Sequence, residues 1–483
     1  MKRKLAMILA MAMLIGIVAA CGSTTDAPST SGPAASTPAE SAPAAETPAE
    51  SPSEDGKIVL TVASFRPQDD DPESSWQLFE YRSEILEAQF PDIEFDWQRF
   101  APGEDYRQQY DRQLMAGIAP IVGMQFPYVD IPTRLANGTI REITEYVTNW
   151  DLKQQGLVTT TLDQAISTRD GKWYAVPGAP YISGLPINRD VIAEAGGDPN
   201  FYPKTWAEFA TTTAALTDRD AGRFGFLLLG SDWNAWPFIP WLWAAGGEWV
   251  TELPDGSWEL TFVSDAWVDA GMFLNSLMWE YQSTQRDILE DWNTFVERFY
   301  SGQGVYGWGA PSWFSPNDLA QYDRTWEDMS FMPVPAGPNG KQVAFTGGEV
   351  WTMSPTATQA EADAAWEFIK YYQYEPDFLL PYWEFRNEVG EDLSNPAVRT
   401  DLVEKKFSMA TSWPAHWAPA MAEAFAIAKP EPFSPHWDDI KNEIVVPLQT
   451  IYLTEGITRD EVYQLAVGAA ERLVAQFPVF VMP

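Results

Sequence analysis

The succession of a strand, a helix and a second strand at the start of the globular part most constrains the fold. Residues 57–64 alternate apolar and polar positions and are rich in β-branched side chains, which predicts a first strand. A helical pattern that includes Leu86 and Phe90 ends at Pro91, and residues 93–97 are again typical of a strand. Because this order favours a parallel βαβ unit, the sequence predicts an α/β fold.

The same order recurs downstream. Residues 106–115 are typical of a helix, Gly117 and Pro120 break it, and an apolar run begins at Ile121. Capping boxes predict three further helix starts, because a threonine hydroxyl and a glutamate three residues later bond the first free N–H groups. The pairs are Thr205 with Glu208, Thr358 with Glu361, and Thr458 with Glu461.

The N-terminus is similar to a lipoprotein signal. Basic residues precede an uncharged, mostly apolar run over residues 5–20, which is shorter than the roughly 20 residues of a membrane-spanning helix. Small residues then lead to Cys21, the only cysteine of the chain. We therefore expect residues 1–20 to be a signal peptide and Cys21 to be lipidated, the alternative being an ordinary signal with a coincidental cysteine.

Residues 21–56 are almost entirely Ser, Thr, Pro, Ala and Glu, so they cannot bury enough apolar surface to offset chain entropy. They are predicted to be a disordered linker that spaces the globular part from the membrane. Localisation at the extracytoplasmic face of the cell membrane, with a lipid anchor, follows from the two segments together. The roughly 425 residues after residue 56 are more than a single hydrophobic core usually accommodates, so we expect two lobes.

Charge and composition disfavour several function classes. The formal net charge of −37 disfavours binding of nucleic acid, which needs a positively charged protein surface. The acidic run 69–73 lacks the ligand spacing and turn glycine of a calcium loop. His416 and His436 are the only histidines, and no nucleophile elbow or phosphate-binding loop is present. We therefore expect no metal, no cofactor and no catalysis, although a glycoside hydrolase, which needs only two carboxylates, stays open.

An ordered set of short segments resembles extracellular solute-binding protein family 1, the maltose-binding-like lipoproteins of sugar ABC transporters. Two departures are Ile121, where the family usually has aspartate, and Ile187, where it usually has tyrosine. The segments that carry the resemblance are FPDI at 90–93, AGIAP at 116–120, GKWYAVP at 171–177, NRD at 188–190, PKTWAE at 203–208, FYSGQGV at 299–305 and the glycine pair at 347–348.

The resemblance implies an α/β, two-lobe periplasmic-binding-protein-like fold with a hinge and a central ligand cleft. Lobe one would comprise 57–177 plus 340–412, and lobe two 184–333 plus 413–475. The implied function is that of a monomeric substrate-binding protein of an ABC-type importer. It would capture a carbohydrate, in particular an oligosaccharide, and deliver it to permease subunits in the membrane.

A sugar cleft needs aromatic rings for the C–H faces of a pyranose and polar side chains for its hydroxyls. Among the 23 tryptophans, the resemblance indicates Trp236, Trp313 and Trp437 for stacking. Asp232, Asn234 and Glu349 are predicted to bind hydroxyls. The remaining candidates are Phe65, Arg66, Gln125, Tyr128, Trp233 and Trp351, whereas Trp241, Trp243, Trp249, Trp267 and Trp279 are predicted to pack in the core.

Two alternatives stay open at this point. The ligand of a binder with this shape could be a peptide, a polyamine or another solute, and a cationic ligand would give the acidic surplus a function. The chain could instead be a secreted, lipid-anchored glycoside hydrolase.

Overall fold

A computed structural model describes most of the globular part of the chain. The predicted signal peptide, Cys21, the linker up to residue 55 and the acidic residues 69–72 lie outside the described residues. The described residues are 56–63, 66–67, 73–99, 106–125, 127–158, 170–231, 234–311, 319–338, 341–391, 395–409, 416–432 and 434–483.

Strands and helices alternate over much of this length. The strands are β1 Ile58–Val62, β2 Ile93–Trp97, β3 Val122–Gln125, β4 Val176–Ser183, β5 Leu185–Asn188, β6 Phe224–Phe226, β7 Thr251–Glu252, β8 Trp258–Glu259, β9 Gly304–Tyr306, β10 Met329–Met332, β11 Ala344–Met353, β12 Ala428–Pro430 and β13 Phe480–Val481.

The helices up to the middle of the chain are α1 Glu73–Gln89, α2 Tyr106–Ala116, α3 Pro127–Asn137, α4 Thr144–Thr148, α5 Asp151–Gln154, α6 Arg189–Glu194, α7 Trp206–Leu216, α8 Ala235–Ala244, α9 Asp265–Trp279 and α10 Trp292–Tyr300. The later helices are α11 Gln359–Tyr374, α12 Pro376–Glu388, α13 Val403–Met409, α14 Trp417–Ala426, α15 Trp437–Leu453 and α16 Arg459–Gln476. Short 3₁₀ turns span Trp326–Asp328 and Thr400–Leu402.

Six of the described strands form a first sheet in the order β12-β11-β3-β1-β2, with β4 paired to β11. Strands β1 and β2 are parallel, with Ile58 opposite Ile93 and Val62 opposite Trp97, and α1 connects them. The predicted βαβ unit is therefore confirmed. Leu60 and Leu86 are fully buried where α1 packs against this sheet, in a first hydrophobic core.

A second sheet has the order β10-β5-β9-β6 within the described chain. Strands β6 and β9 are parallel, and β5 is antiparallel to β9 and β10. Helices α7, α8 and α9 contribute Phe209, Trp241 and Trp267 to a second and larger core. A smaller sheet in the order β13-β8-β7 includes the last strand of the chain.

Strands β4 and β11, which we call the crossing strands, connect the two cores. They pair antiparallel along most of their length. Val176 of β4 and Trp351 of β11 belong to the first core, whereas Phe345 of β11 belongs to the second. Strand β12 pairs in parallel with the start of β11. The α/β fold with two lobes and chain segments passing between them is confirmed.

The predicted capping boxes are present. The Thr358 hydroxyl accepts a hydrogen bond from the Glu361 N–H at 3.3 Å, and the Glu361 carboxylate accepts one from the Thr358 N–H at 2.7 Å. The boxes at Thr205 and Thr458 have the same reciprocal pattern. Each cap of this kind contributes about 1 kcal/mol to helix stability, so α7, α11 and α16 begin where the local sequence predicts.

The tryptophans that were predicted to pack do so. Trp241, Trp243, Trp249 and Trp267 are buried in the second core. Trp279 is half-buried against the same core, and its indole N–H donates to the Tyr452 carbonyl oxygen at 2.9 Å. This core is therefore built largely from aromatic rings, which bury a large apolar area per residue.

Replacing Trp267 by alanine is expected to lower the free energy of unfolding by about 3–5 kcal/mol. The indole is fully buried and donates to the Val462 carbonyl oxygen at 3.2 Å, so both packing and a hydrogen bond are lost. Urea denaturation followed by circular dichroism measures the change. Leu289→Ala is the control: this side chain is 54% exposed, and its loss should change the value by less than about 0.5 kcal/mol. Equal effects of the two variants would contradict the assignment of Trp267 to the core.

Candidate ligand-binding cleft

The carboxyl end of β3 and the helix that follows β6 both reach the crossing strands. Strand β3 ends at Gln125, which pairs with Val350 of β11. Strand β6 leads through residues 227–231 toward α8, where Trp236 contacts Tyr181 of β4. Because ligands of open α/β sheets bind off the carboxyl ends of the strands, this region is the candidate cleft.

Four aromatic side chains meet here, and we call them the aromatic cluster: Tyr181, Trp236, Trp308 and Phe345. The Trp236 ring lies edge-to-face against Trp308 at 4.8 Å, Phe345 at 5.9 Å and Tyr181 at 6.1 Å between centroids. Trp308 and Phe345 are buried, whereas Tyr181 and Trp236 are half-buried. The last two therefore form the accessible side of the cluster.

The start of α8 fixes the position of Trp236. The Asn234 N–H donates to the Ser231 carbonyl oxygen at 3.0 Å. Pro237 falls in the first helical turn, where a missing N–H costs no intrahelical hydrogen bond. The fully buried Asn234 side chain donates to the Val445 carbonyl oxygen of α15 at 2.9 Å. The residue that immediately precedes α8 is thus bonded to a neighbouring helix, and this bond helps to fix Trp236 two residues later.

The structure brings three of the predicted ligand residues to this region. Asn234 and Trp236 lie at the start of α8, and Glu349 lies on β11 opposite Ala179 of β4. The register of the crossing strands shifts between Glu349 and Val350, and the Glu349 side chain is half-buried. A half-buried ring and a half-buried carboxylate are therefore available around the crossing strands, as a polyhydroxyl ligand requires. The Asn234 amide is fully buried and bonded to Val445, so its ligand role remains a prediction.

Other predicted residues are not placed by the structure. Phe65, Asp232, Trp233 and Trp313 lie outside the described residues, as do the side chains of Gln125 and Tyr128. The backbones of Gln125 and Tyr128 lie at the end of β3 and in α3. Arg66 is exposed, with its guanidinium 5.7 Å from the centre of the Trp76 ring.

Trp351 points into the first core and is 1% exposed. Its indole N–H donates to the side-chain oxygen of Gln373 at 3.0 Å, and its ring packs edge-on against Phe368 and Tyr372. No face of this indole is open to a ligand in this conformation, so its ligand role remains a prediction.

Trp437 is also 1% exposed, within the second core. Its indole N–H donates to the buried carboxylate of Glu431 at 2.6 Å, and Lys441 lies 3.3 Å from the same oxygen. Burial lowers the pKa of Lys441, but the carboxylates of Glu431 and Asp438 raise it, and the net direction is upward. The stacking role predicted for Trp437 remains a prediction, while the structure shows it to be a partner of a buried ion pair.

Sequence reasoning did not identify Tyr181, Trp308 and Phe345. Tyr181 lies between two segments that carry the family resemblance, one that ends at Pro177 and one that begins at Asn188. Phe345 comes just before the glycine pair 347–348. Only the pairing of β4 with β11 and the ring contacts of the folded chain show that these side chains meet Trp236.

Two cavities in the described part of the protein lie away from the aromatic cluster. One of about 790 Å³ is lined by residues that include Tyr146 of α4, Trp150 just before α5, and Asp363 of α11. The other, of about 720 Å³, includes Trp243 and Lys429 in its lining. Neither includes a residue of the aromatic cluster or of the predicted ligand set.

Metal ligands and membrane-spanning helices are both absent from the described residues. No three His, Cys, Asp or Glu side chains there are grouped so as to hold a metal ion. Of the helices in the same residues, none combines the length and apolar character needed to cross a bilayer.

Residues 82–389 match the sequence profile of the family described as bacterial extracellular solute-binding protein. This match covers well over half of the chain, and it includes β3, the crossing strands and α8.

Solved structures with a similar fold are binding proteins for sugars. The cyclic α-maltosyl-1,6-maltose binding protein from Arthrobacter globiformis is 20% identical with a TM-score of 0.68, over 87% of this chain and all of that one. A solute-binding protein from Thermotoga lettingae bound to α-D-tagatose is 19% identical with a TM-score of 0.67, over 86% of this chain and 99% of that one. At these identities the likeness shows the fold.

A curated relative is the sn-glycerol-3-phosphate-binding periplasmic protein of Yersinia pestis. It is 29% identical over 140 residues, which are 27% of this chain and 31% of that protein. The match thus spans about a third of the length of this relative.

Trp437→Phe is expected to lower the free energy of unfolding by about 1–3 kcal/mol, because the buried Glu431 carboxylate loses the indole donor. Urea denaturation measures the loss, and Tyr463→Phe on α16, a half-buried residue, is the control that should leave stability unchanged. Unchanged stability combined with weaker ligand binding would instead show that the Trp437 ring faces the ligand.

Proposed function

Because the chain belongs to the bacterial extracellular solute-binding protein family, we propose that it is the substrate-binding protein of an ABC-type importer. It captures a carbohydrate, in particular an oligosaccharide, between its two lobes and delivers it unchanged to permease subunits in the membrane. The sugar-binding proteins that share the fold support this proposal. The observation that carries it is the half-buried Trp236, which lies at the start of α8 against Tyr181 of the crossing strands.

In the proposed binding mode, aromatic rings contact the C–H faces of the sugar and polar side chains bind its hydroxyls. Trp236 and Trp313 stack on the C–H faces of sugar rings, and Asp232, Asn234 and Glu349 bind hydroxyls. Lobe one, 57–177 plus 340–412, closes on lobe two, 184–333 plus 413–475, by bending at the crossing strands.

The ligand is proposed to be neutral. Lys429 on β12 lies opposite Phe345 of β11, but its ammonium group is bonded to the Glu248 carboxylate, and the Glu349 carboxylate adds negative charge at the crossing strands. A phosphate monoester would need cations or a set of N–H donors. We therefore favour a sugar over sn-glycerol 3-phosphate, the ligand of the curated relative.

A panel of solutes tests the function. Maltose, maltotriose, α-D-tagatose and cyclic α-maltosyl-1,6-maltose are compared with sn-glycerol 3-phosphate, spermidine and a tripeptide by thermal unfolding and tryptophan fluorescence. A saccharide at 100 times its Kd is expected to raise the free energy of unfolding by about 2.7 kcal/mol. Trp236→Ala should weaken its binding about tenfold, while Leu289→Ala should not change it.

A response to the phosphate, the polyamine or the peptide alone would overturn the sugar assignment and leave the transport role. Chromatography of the bound saccharide after incubation separates binding from hydrolysis. Recovery of shortened products would show that the protein is a glycoside hydrolase.

We also propose that the mature chain is a monomer anchored through lipid on Cys21, with residues 22–56 as a spacer. The basic start, the apolar run 5–20 and the single cysteine support this proposal. The high negative charge keeps the globular part away from anionic headgroups, which suits a tether.

Cys21→Ser is expected to move the protein from the membrane fraction to the soluble extracytoplasmic fraction of a bacterial host. The serine hydroxyl cannot form the thioether that holds the lipid, while the apolar run still directs export. Detergent phase partitioning measures the change, with Ser23→Ala as the control. Equal partitioning of Cys21→Ser and the unchanged chain would contradict the anchor.

A further inference from the structure

Tyr181 occupies an unusual place in the fold, because it lies on a crossing strand and not within either lobe. It is the register partner of Gly347, and Ile182 is that of Thr346. The Thr346 hydroxyl donates to the Tyr181 carbonyl oxygen at 2.8 Å. The Tyr181 backbone is therefore fixed to β11 by the hydrogen bond from the Thr346 side chain as well as by strand pairing.

The Tyr181 ring lies directly over the bare backbone of Gly347. A methyl group at Gly347 would be 2.6 Å from Cζ of the ring and closer still to the phenol oxygen. Side-chain carbons do not approach other atoms within 3.0 Å, so any other residue at 347 would displace the ring. We call this arrangement the Gly347 seat.

The next glycine is required for a different reason. Gly348 has φ +149°, and a methyl group there would be 2.7 Å from the Ala179 oxygen and from Cα of Pro180. The crossing strands therefore approach each other closely at the same point at which the ring is seated.

The ring has a buried side and an accessible side. Phe345 lies 6.0 Å away at an angle of 63°, and Trp236 lies 6.1 Å away at 85°. Phe345 and Trp308 are buried behind the pair, whereas Tyr181 and Trp236 are both half-buried. Two accessible rings at nearly a right angle can present a flat face and a hydroxyl to the same ligand.

We propose that Tyr181 is a specificity-determining ligand contact, seated on Gly347 so that its phenol meets a hydroxyl of the sugar that stacks on Trp236. This inference rests on the proposed function and deepens it. A phenol both donates and accepts a hydrogen bond, so it selects the position and orientation of a sugar hydroxyl, which a tryptophan face does not.

The position on the crossing strand has a further consequence. A hydrogen bond to Tyr181 connects the ligand to the segment at which the lobes bend relative to each other. Ligand binding therefore favours one arrangement of β4 and β11 in two ways. The ligand contacts Tyr181 on β4 directly, and it also contacts the two lobes that these strands connect.

Isothermal titration with the saccharides named above tests the proposal on Tyr181→Phe, Tyr181→Ala and Gly347→Ala. Tyr181→Phe should weaken the tightest saccharide about 3- to 10-fold and change the ratio of affinities among saccharides. Tyr181→Ala should weaken it at least tenfold. Gly347→Ala should resemble Tyr181→Ala, because the displaced ring no longer meets the sugar.

Matched controls are Tyr463→Phe and Gly468→Ala, both on α16. A methyl group at Gly468 would meet only Arg472, at an ordinary 3.4 Å. Both controls should bind as the unchanged chain does. The double variant Tyr181→Ala with Gly347→Ala should fold, since removal of the ring frees the space, and should bind no worse than Tyr181→Ala alone.

The outcomes separate the two proposals. If the unchanged chain binds none of the saccharides, the proposed function fails and the role of Tyr181 fails with it. If it binds them but both Tyr181 variants keep affinities within twofold and the same ratios, only the role of Tyr181 is wrong. If the double variant binds tenfold more weakly than Tyr181→Ala, Gly347 affects binding independently of the Tyr181 ring, and the role assigned to the Gly347 seat is wrong.

Discussion

The antiparallel pairing of β4 with β11 is the constraint on which the rest of the described structure depends. It joins a core built on the first sheet to a core built on the second, since Val176 and Trp351 belong to one and Phe345 to the other. The same strands support the rings of Tyr181 and Trp236. This pair of strands thus connects the two cores and forms the floor of the candidate cleft, so the proposed ligand contacts and the proposed lobe movement share one element.

Local sequence signals predicted the elements well. The alternation in 57–64, the break at Pro91 and the threonine–glutamate boxes act within a few residues, and strand β1, helix α1 and the later helix starts follow them. The family resemblance predicted the two-lobe fold. What could not be predicted was which tryptophans face outward, because that depends on distant partners: Trp437 meets Glu431 after a left-handed residue at 436, whereas Trp236 meets a strand some 55 residues earlier.

The candidate site therefore combines predicted and unforeseen residues. Asn234, Trp236 and Glu349 were indicated by sequence segments, while Tyr181 and Phe345 emerge only from strand pairing and Trp308 from its ring contact with Trp236. The aromatic character of this region contrasts with the strongly acidic chain around it. In the proposed function, the acidity serves solubility and distance from the membrane, and the ligand is recognised by aromatic ring faces and hydrogen-bonding groups.

The contact between the Tyr181 ring and the bare backbone of Gly347 also restricts the order in which the two positions can change during evolution. A larger residue at 347 displaces the ring unless the lineage has already lost it at 181, whereas a smaller residue at 181 can appear first without displacing its neighbour. Descendants that change both positions and keep each intermediate free of steric conflict therefore pass through a form with an empty space over glycine.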